Sequence, residues 1–105
     1  MTSIQDIMAE AERLKDQILE LCHPVGVILF GSAAAGAVRP GSDIDLCVIA
    51  EYADRRALLT ALYTALDSPV GVDIVLYRPE EWARNSVDPT SFAHLILQKG
   101  KWLYG

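Results

Sequence analysis

The sequence predicts an α/β fold, in which helices cover a single small β-sheet. Apolar residues recur at helical spacing in the first part of the chain, and short β-branched runs then alternate with further helical segments. With 105 residues, 51% of them hydrophobic, the chain offers enough apolar surface for one core but too little length for two. Residues 1–105 are therefore expected to form one compact domain.

A helix and a buried strand are predicted at the start of the chain. Between residues 4 and 21, apolar side chains recur every three or four positions, with acids and bases between them. Thr2, followed three residues later by Gln5, fits a capping box at the beginning of this helix, and Pro24 ends it. The continuous apolar run from Val25 to Phe30 is typical of a strand buried on both faces.

Two more strands are predicted at residues 43–50 and 70–77, because both segments are rich in apolar and β-branched residues. The first begins with polar and apolar residues in alternation, so one face of its beginning is polar. Asp54 is expected to cap the helix between the two strands. The buried stripe of that helix is predicted to be Leu58, Leu59, Leu62, Tyr63 and Leu66.

The remaining residues predict two short helices and a final extended segment. Pro79 suits the first turn of one helix. Asp88 and Pro89 form an N-cap and first-turn pair for the next helix, which is expected to end at Gly100. Residues 101–104 then form either a short strand or a docked tail.

Charge and cysteine content restrict the class of protein. The formal net charge of -5 gives no overall field that would attract phosphate backbones, so direct nucleic-acid binding is not expected. Charged residues interrupt the N-terminal segment, which predicts neither a signal peptide nor a membrane span. Cys22 and Cys47 lie in apolar stretches and are expected to be buried thiols in a reducing cytoplasm, with a disulfide as the alternative. His23 and His94 are assigned structural roles.

A turn of small residues, from Gly31 to Gly36, follows the first predicted strand directly. Glycine lets the backbone approach a ligand closely, Ser32 adds a hydroxyl, and exposed amide groups at a helix start bind anions. The turn therefore suits a phosphate group. The alternative is a tight strand-to-helix connection without a ligand.

Three aspartates lie in predicted strands, at positions where a hydrophobic core alone does not require a charged residue. Asp43 and Asp45 are two residues apart on a strand, so their side chains point to the same face with Cα atoms roughly 6.6 Å apart. Asp73 interrupts an apolar strand, where a carboxylate is costly unless it is paired or binds a metal. The alternatives are a solvated strand end for the pair and an edge strand with Asp73 facing water. If the strands are neighbours, the three carboxylates offer the oxygen ligands that Mg²⁺ prefers.

The combined pattern resembles the minimal nucleotidyltransferase domains of the DNA polymerase β superfamily. The matching residues are Gly31-Ser32 and Gly36, then Ser42-Asp43-Ile44-Asp45-Leu46, then Val72-Asp73-Ile74-Val75, with a similar tail at residues 98–104. The resemblance covers nearly the whole chain. It implies a single nucleotidyltransferase-type α/β domain in which helices pack on a small mixed sheet.

The resemblance also implies a nucleotide site. Gly31 and Ser32 would hold the β and γ phosphates of a nucleoside triphosphate, with ATP as donor, and Gly36 and Ser42 would belong to the same nucleotide-binding set. The residues between the two glycines are Ala33, Ala34 and Ala35, where family members often carry an arginine. Arg39 is the nearest candidate to replace its phosphate contact, and a solvated loop cation is the alternative.

The three acids take the metal and catalytic roles that the resemblance implies. Asp43 and Asp45 would ligate two Mg²⁺ ions, and Asp73 would complete the metal site on the acceptor side and help to deprotonate the attacking hydroxyl. A nucleoside monophosphate would be transferred, and pyrophosphate would leave.

The resemblance further implies a partner, since small domains of this family typically occur beside a helical RNase toxin of the HEPN type, which some of them neutralise by adenylylation. The chain is thus expected to be an antitoxin that works within an oligomer or hetero-complex. The late aromatic residues Trp82, Phe92, Trp102 and Tyr104 could supply an interface or belong to the core. The alternative function is a catalytically weak or inactive nucleotide- and metal-binding module that neutralises its partner by direct binding.

Overall fold

A computed structural model describes residues 3–37 and 43–105, which form one α/β domain. The helices are α1 (Ile4–Cys22), α2 (Gly31–Ala34), α3 (Arg55–Ala65), α4 (Pro79–Ser86) and α5 (Phe92–Lys99). The strands are β1 (Gly26–Phe30), β2 (Ile44–Ile49), β3 (Val72–Tyr77) and β4 (Lys101–Tyr104). The predicted α/β class is confirmed, and the final segment is a strand.

The four strands form one mixed sheet in the order β3-β2-β1-β4. β1 pairs antiparallel with β2 on one side and with β4 on the other. β2 and β3 pair in parallel, because α3 carries the chain back across the sheet between them. The beginnings of β2 and β3 therefore lie at the same end of the sheet.

Helices cover both faces of the sheet, so the domain has three layers. On the first face, α1 and α3 pack on alternate strand residues such as Leu29, Leu46 and Leu76. On the second face, Ile28, Cys47 and Ile49 pack with Ile96 of α5, while Trp82 of α4 covers their margin. Since strand side chains alternate, Asp45 shares the second face with Cys47 and Ile49.

Helix caps agree with the sequence at some ends and differ at others. The side chain of Asp54 accepts a hydrogen bond from the amide of Ala57 at 3.2 Å, as predicted for α3. The cap of α1 is Ser3 rather than Thr2, because the Ser3 hydroxyl is the acceptor for the amide of Asp6 at 3.0 Å. That helix ends at His23, in the left-handed conformation, just before Pro24.

The last helix begins later than predicted. Ser91 caps α5 by accepting a hydrogen bond from the amide of His94 at 3.0 Å. The carboxylate of Asp88 instead accepts from the amide and hydroxyl of Thr90, so it closes a turn ahead of the helix. Asp88 and Pro89 are therefore wrong as the N-cap and first-turn pair. The ring of His94 bonds the carbonyl of Ser86 at 2.7 Å, which agrees with a structural role.

Both cysteines are free thiols. Cys47 is fully buried, and burial raises the pKa of its thiol to about 12. Cys22 is only half-buried at the end of α1, so the expectation of burial is met in full at Cys47 alone. In residues 3–37 and 43–105 there is no helix with the length and apolar character of a membrane span.

The edge strand β3 is held in part by a tyrosine of α3. Of the predicted stripe, Leu62 is buried and Leu58, Leu59 and Leu66 are half-buried, but Tyr63 is 47% exposed. Its hydroxyl accepts a hydrogen bond from the amide of Ile74 at 2.8 Å. That amide belongs to the residue after Asp73, so the contact fixes the strand where the acid lies.

We expect Tyr63→Phe to lower the free energy of unfolding by about 0.5–1.5 kcal/mol, because one hydrogen bond to the edge strand is lost. Amide hydrogen exchange should show faster exchange at Ile74 than in the parent protein. Tyr104→Phe, on β4 at the opposite edge, is the matched control. Unchanged exchange at Ile74 in Tyr63→Phe would contradict the role assigned to this hydroxyl.

Candidate functional site

The register between β2 and β3 places two of the predicted acids side by side. Asp45 and Asp73 are direct partners in this parallel pairing, so both carboxylates lie on the same face of the sheet. Asp43 immediately precedes β2, two residues from Asp45. β3 is an edge strand and Asp73 is exposed, so its side chain is accessible from outside the sheet.

Burial and the neighbouring acids both act on the carboxyl group of Asp45. Its pKa is raised above the ordinary range, first by burial, then by the charges of Asp73 and Asp43, and by a hydrogen bond with Asp73. None of the ion pairs among the described residues includes one of these three acids. Among the described residues, Asp45 and Asp73 thus lie side by side without an ion-pair partner.

Two glycines make room for the carboxylates. Gly31 has a φ of +73°, and a Cβ atom built on it would overlap the carboxylate of Asp45. A Cβ on Gly71, just before β3, would overlap the carboxylate of Asp43. Sequence reasoning did not single out Gly71, although its place two residues before Asp73 was a usable signal.

The small-residue turn lies beside the acids, as the contact between Gly31 and Asp45 shows. It forms the four-residue helix α2 directly after β1, and Ser32 is exposed. Gly36 also has a positive φ, and no described residue apart from its chain neighbours lies within 4 Å of a Cβ atom built on it. Ser42 and Arg39, both named in the sequence analysis, lie outside the described residues.

The donor atoms suit a hard divalent cation, since Asp45 and its neighbours offer carboxylate oxygens with uncompensated negative charge. Within residues 3–37 and 43–105, no three acid, histidine or cysteine side chains are gathered closely enough to form a metal centre. Carboxylates that share one site repel each other, and a bound cation removes that repulsion. The three-aspartate metal set stays a prediction.

The close approach at Gly31 can be tested with Gly31→Ala and its control Gly36→Ala. Both variants place alanine at a positive φ, so each is expected to lose about 1–2 kcal/mol of stability. Only Gly31→Ala forces the Asp45 carboxylate to move, and its NMR carboxyl resonance should therefore shift in that variant alone. The same Asp45 resonance in Gly31→Ala as in the parent would refute the contact.

A comparison with protein families identifies the family of this chain. Residues 11–97 match the family model described as a nucleotidyltransferase domain. The matched span includes the turn at 31–36 and all three aspartates of the candidate site. A search of curated proteins finds none that matches the chain. Because the family model covers most of its length, the chain belongs to the nucleotidyltransferase domain family.

Proposed function

We propose that this protein transfers a nucleoside monophosphate, AMP from ATP, to a hydroxyl group of a partner protein in a Mg²⁺-dependent reaction. The observation that carries the proposal is the side-by-side placement of Asp45 and Asp73, with Gly31 packed against the Asp45 carboxylate. Membership of the nucleotidyltransferase family supports the reaction class.

The proposed roles follow from the position of each group. Asp43 and Asp45 would hold Mg²⁺, with Asp73 completing the set, and the bound ions would neutralise charge on the phosphates. Ser32 and the backbone of the turn would position the phosphates. Asp73, exposed on its edge strand, would accept the proton of the attacking hydroxyl. A bond then forms between that oxygen and the α-phosphorus, and the bond to pyrophosphate breaks.

The alanines of the turn favour a second candidate function. Ala33 and Ala34 are buried in the core on the first face of the sheet. An arginine at either position would not reach a phosphate without disrupting the packing. Ala35 is exposed, and it is the position where a guanidinium would be accessible. The absence of a guanidinium group at this position favours a module that binds nucleotide and metal weakly and neutralises its partner by contact alone.

The partner in the proposal is a helical RNase toxin of the HEPN type, neutralised by adenylylation of a tyrosine hydroxyl, which makes this protein an antitoxin. The exposed edge at Asp73 supports a macromolecular acceptor, because a side chain from another protein can reach it directly. Trp102 and Tyr104, each 44% exposed on β4, add apolar surface that suits a protein interface.

Transfer of label from α-labelled ATP to the proposed partner, a HEPN-type RNase toxin encoded beside this protein, tests the proposal. In the presence of Mg²⁺ we expect labelling of the partner, and Asp43→Asn should reduce the rate on the order of a hundredfold because a proposed metal ligand is lost. Asp16→Asn changes the same charge on an exposed part of α1 and should label at the parental rate.

The outcomes separate the two candidate functions. Labelling of the partner that depends on Asp43 supports transfer, and a mass increase of one nucleoside monophosphate would locate the modified hydroxyl. If no label is transferred, and Asp43→Asn still binds and neutralises the partner as the parent does, the binding module is correct and the transfer proposal is wrong.

A further inference from the structure

An apolar cavity of about 350 Å³ lies next to the small-residue turn, on the second face of the sheet. The described residues of its walls come from β1, the turn and α5, and Lys99 is the charged residue among them: Phe30, Gly31, Ala35, Phe92, Leu95, Ile96 and Lys99. The volume is at the lower end of the range for small-molecule sites. Because Gly31 borders both the cavity and the Asp45 carboxylate, the cavity adjoins the candidate site.

Two large apolar side chains of the cavity lining are half-exposed to solvent, which packing of the core does not require. Phe92 is 50% exposed and Leu95 is 49% exposed, although both are large apolar side chains on α5. Phe30 and Phe92 meet edge to face, with ring centroids 5.6 Å apart. An aromatic wall of this kind provides a surface on which a flat ring can stack.

The charge beside this wall favours an anionic ligand. Lys99 lies in the last turn of α5 and is a cationic residue of the described cavity lining. A flat aromatic ring joined to a phosphate would satisfy both the aromatic wall, through its π-face, and this cation. Nucleotides have this chemistry, whereas a purely apolar ligand would leave the ammonium group unused.

The cavity lies on the donor side of the site. Phe30 pairs with Asp45 across the β1–β2 ladder, and the turn follows Phe30 directly. Asp73, the acid assigned to the acceptor side, is on β3, two strands from β1 and therefore about 10 Å away at the usual strand spacing. A group in the cavity is thus closer to the proposed phosphate turn than to the acceptor.

We propose that this cavity binds the base of the donor nucleotide by stacking against Phe92, with little selectivity among bases. The proposal rests on the proposed function, because it assumes that the turn holds the phosphates of that nucleotide. Low selectivity follows because the described side chains of the lining are apolar apart from Lys99, so a base edge meets few hydrogen-bonding side chains among residues 3–37 and 43–105.

Calorimetric titration with Mg²⁺ tests the proposal, with ATP, GTP, CTP, UTP and inorganic tripolyphosphate as ligands. The four nucleotides should bind with similar affinities, within about fivefold, and each tighter than tripolyphosphate. Phe92→Ala should weaken nucleotide binding on the order of tenfold without affecting tripolyphosphate, whereas Phe92→Tyr should retain the affinity. Leu97→Ala is the matched control, since Leu97 is exposed on the same helix but does not line the cavity.

Each possible result either supports or overturns the proposed base site. If tripolyphosphate binds as tightly as the nucleotides, or Phe92→Ala weakens nothing, the base site is wrong and the proposed phosphate site still stands. If Phe92→Ala spares nucleotide binding but abolishes labelling of the partner, the cavity belongs to the acceptor protein and the proposal is overturned. If neither tripolyphosphate nor any nucleotide binds, the base site and the proposed function both fail.

Discussion

The parallel pairing of β2 and β3 is the constraint on which the site depends. It sets Asp45 directly beside Asp73, and like charges at paired positions of a sheet destabilise the pairing. The raised pKa of Asp45 reflects burial first and this repulsion second. A register one residue different would send one of the carboxylates to the opposite face, so the unfavourable arrangement exists only because the rest of the sheet holds it.

Contacts at both ends of β3 oppose that repulsion. Near its beginning, Glu10 of α1 accepts a hydrogen bond from the hydroxyl of Ser68 at 2.6 Å, and Arg13 bonds the carbonyl of Asp67. At its other end, the guanidinium of Arg55 donates to the carbonyl of Leu76 at 2.7 Å. These contacts connect the edge strand to α1 and α3, which pack on the face opposite the acids. Groups far from the proposed chemistry therefore help to hold Asp73 in register.

The sequence predicted those parts of the structure that depend on local pattern. Asp45, Asp73 and Gly31 were identified because strand alternation and a turn of small residues are visible in the chain itself. The start of α5 was misplaced, because Asp88 and Ser91 are both good capping residues and tertiary packing chose between them. The cavity could not be predicted, since it depends on how α5 crosses the end of β1.

Asp45 and Asp73 are held side by side at a cost in stability that a bound cation would offset. Chemical unfolding of the parent and Asp73→Asn, in EDTA and then with Mg²⁺ and ATP, measures this directly. In EDTA, Asp73→Asn should be more stable than the parent by about 0.2–1 kcal/mol, because a like charge is removed. With ligand at about 100 times its dissociation constant, the parent should gain roughly 2.7 kcal/mol and the variant clearly less. An Asp73→Asn variant that is less stable in EDTA and responds to Mg²⁺ and ATP as the parent does would contradict the account.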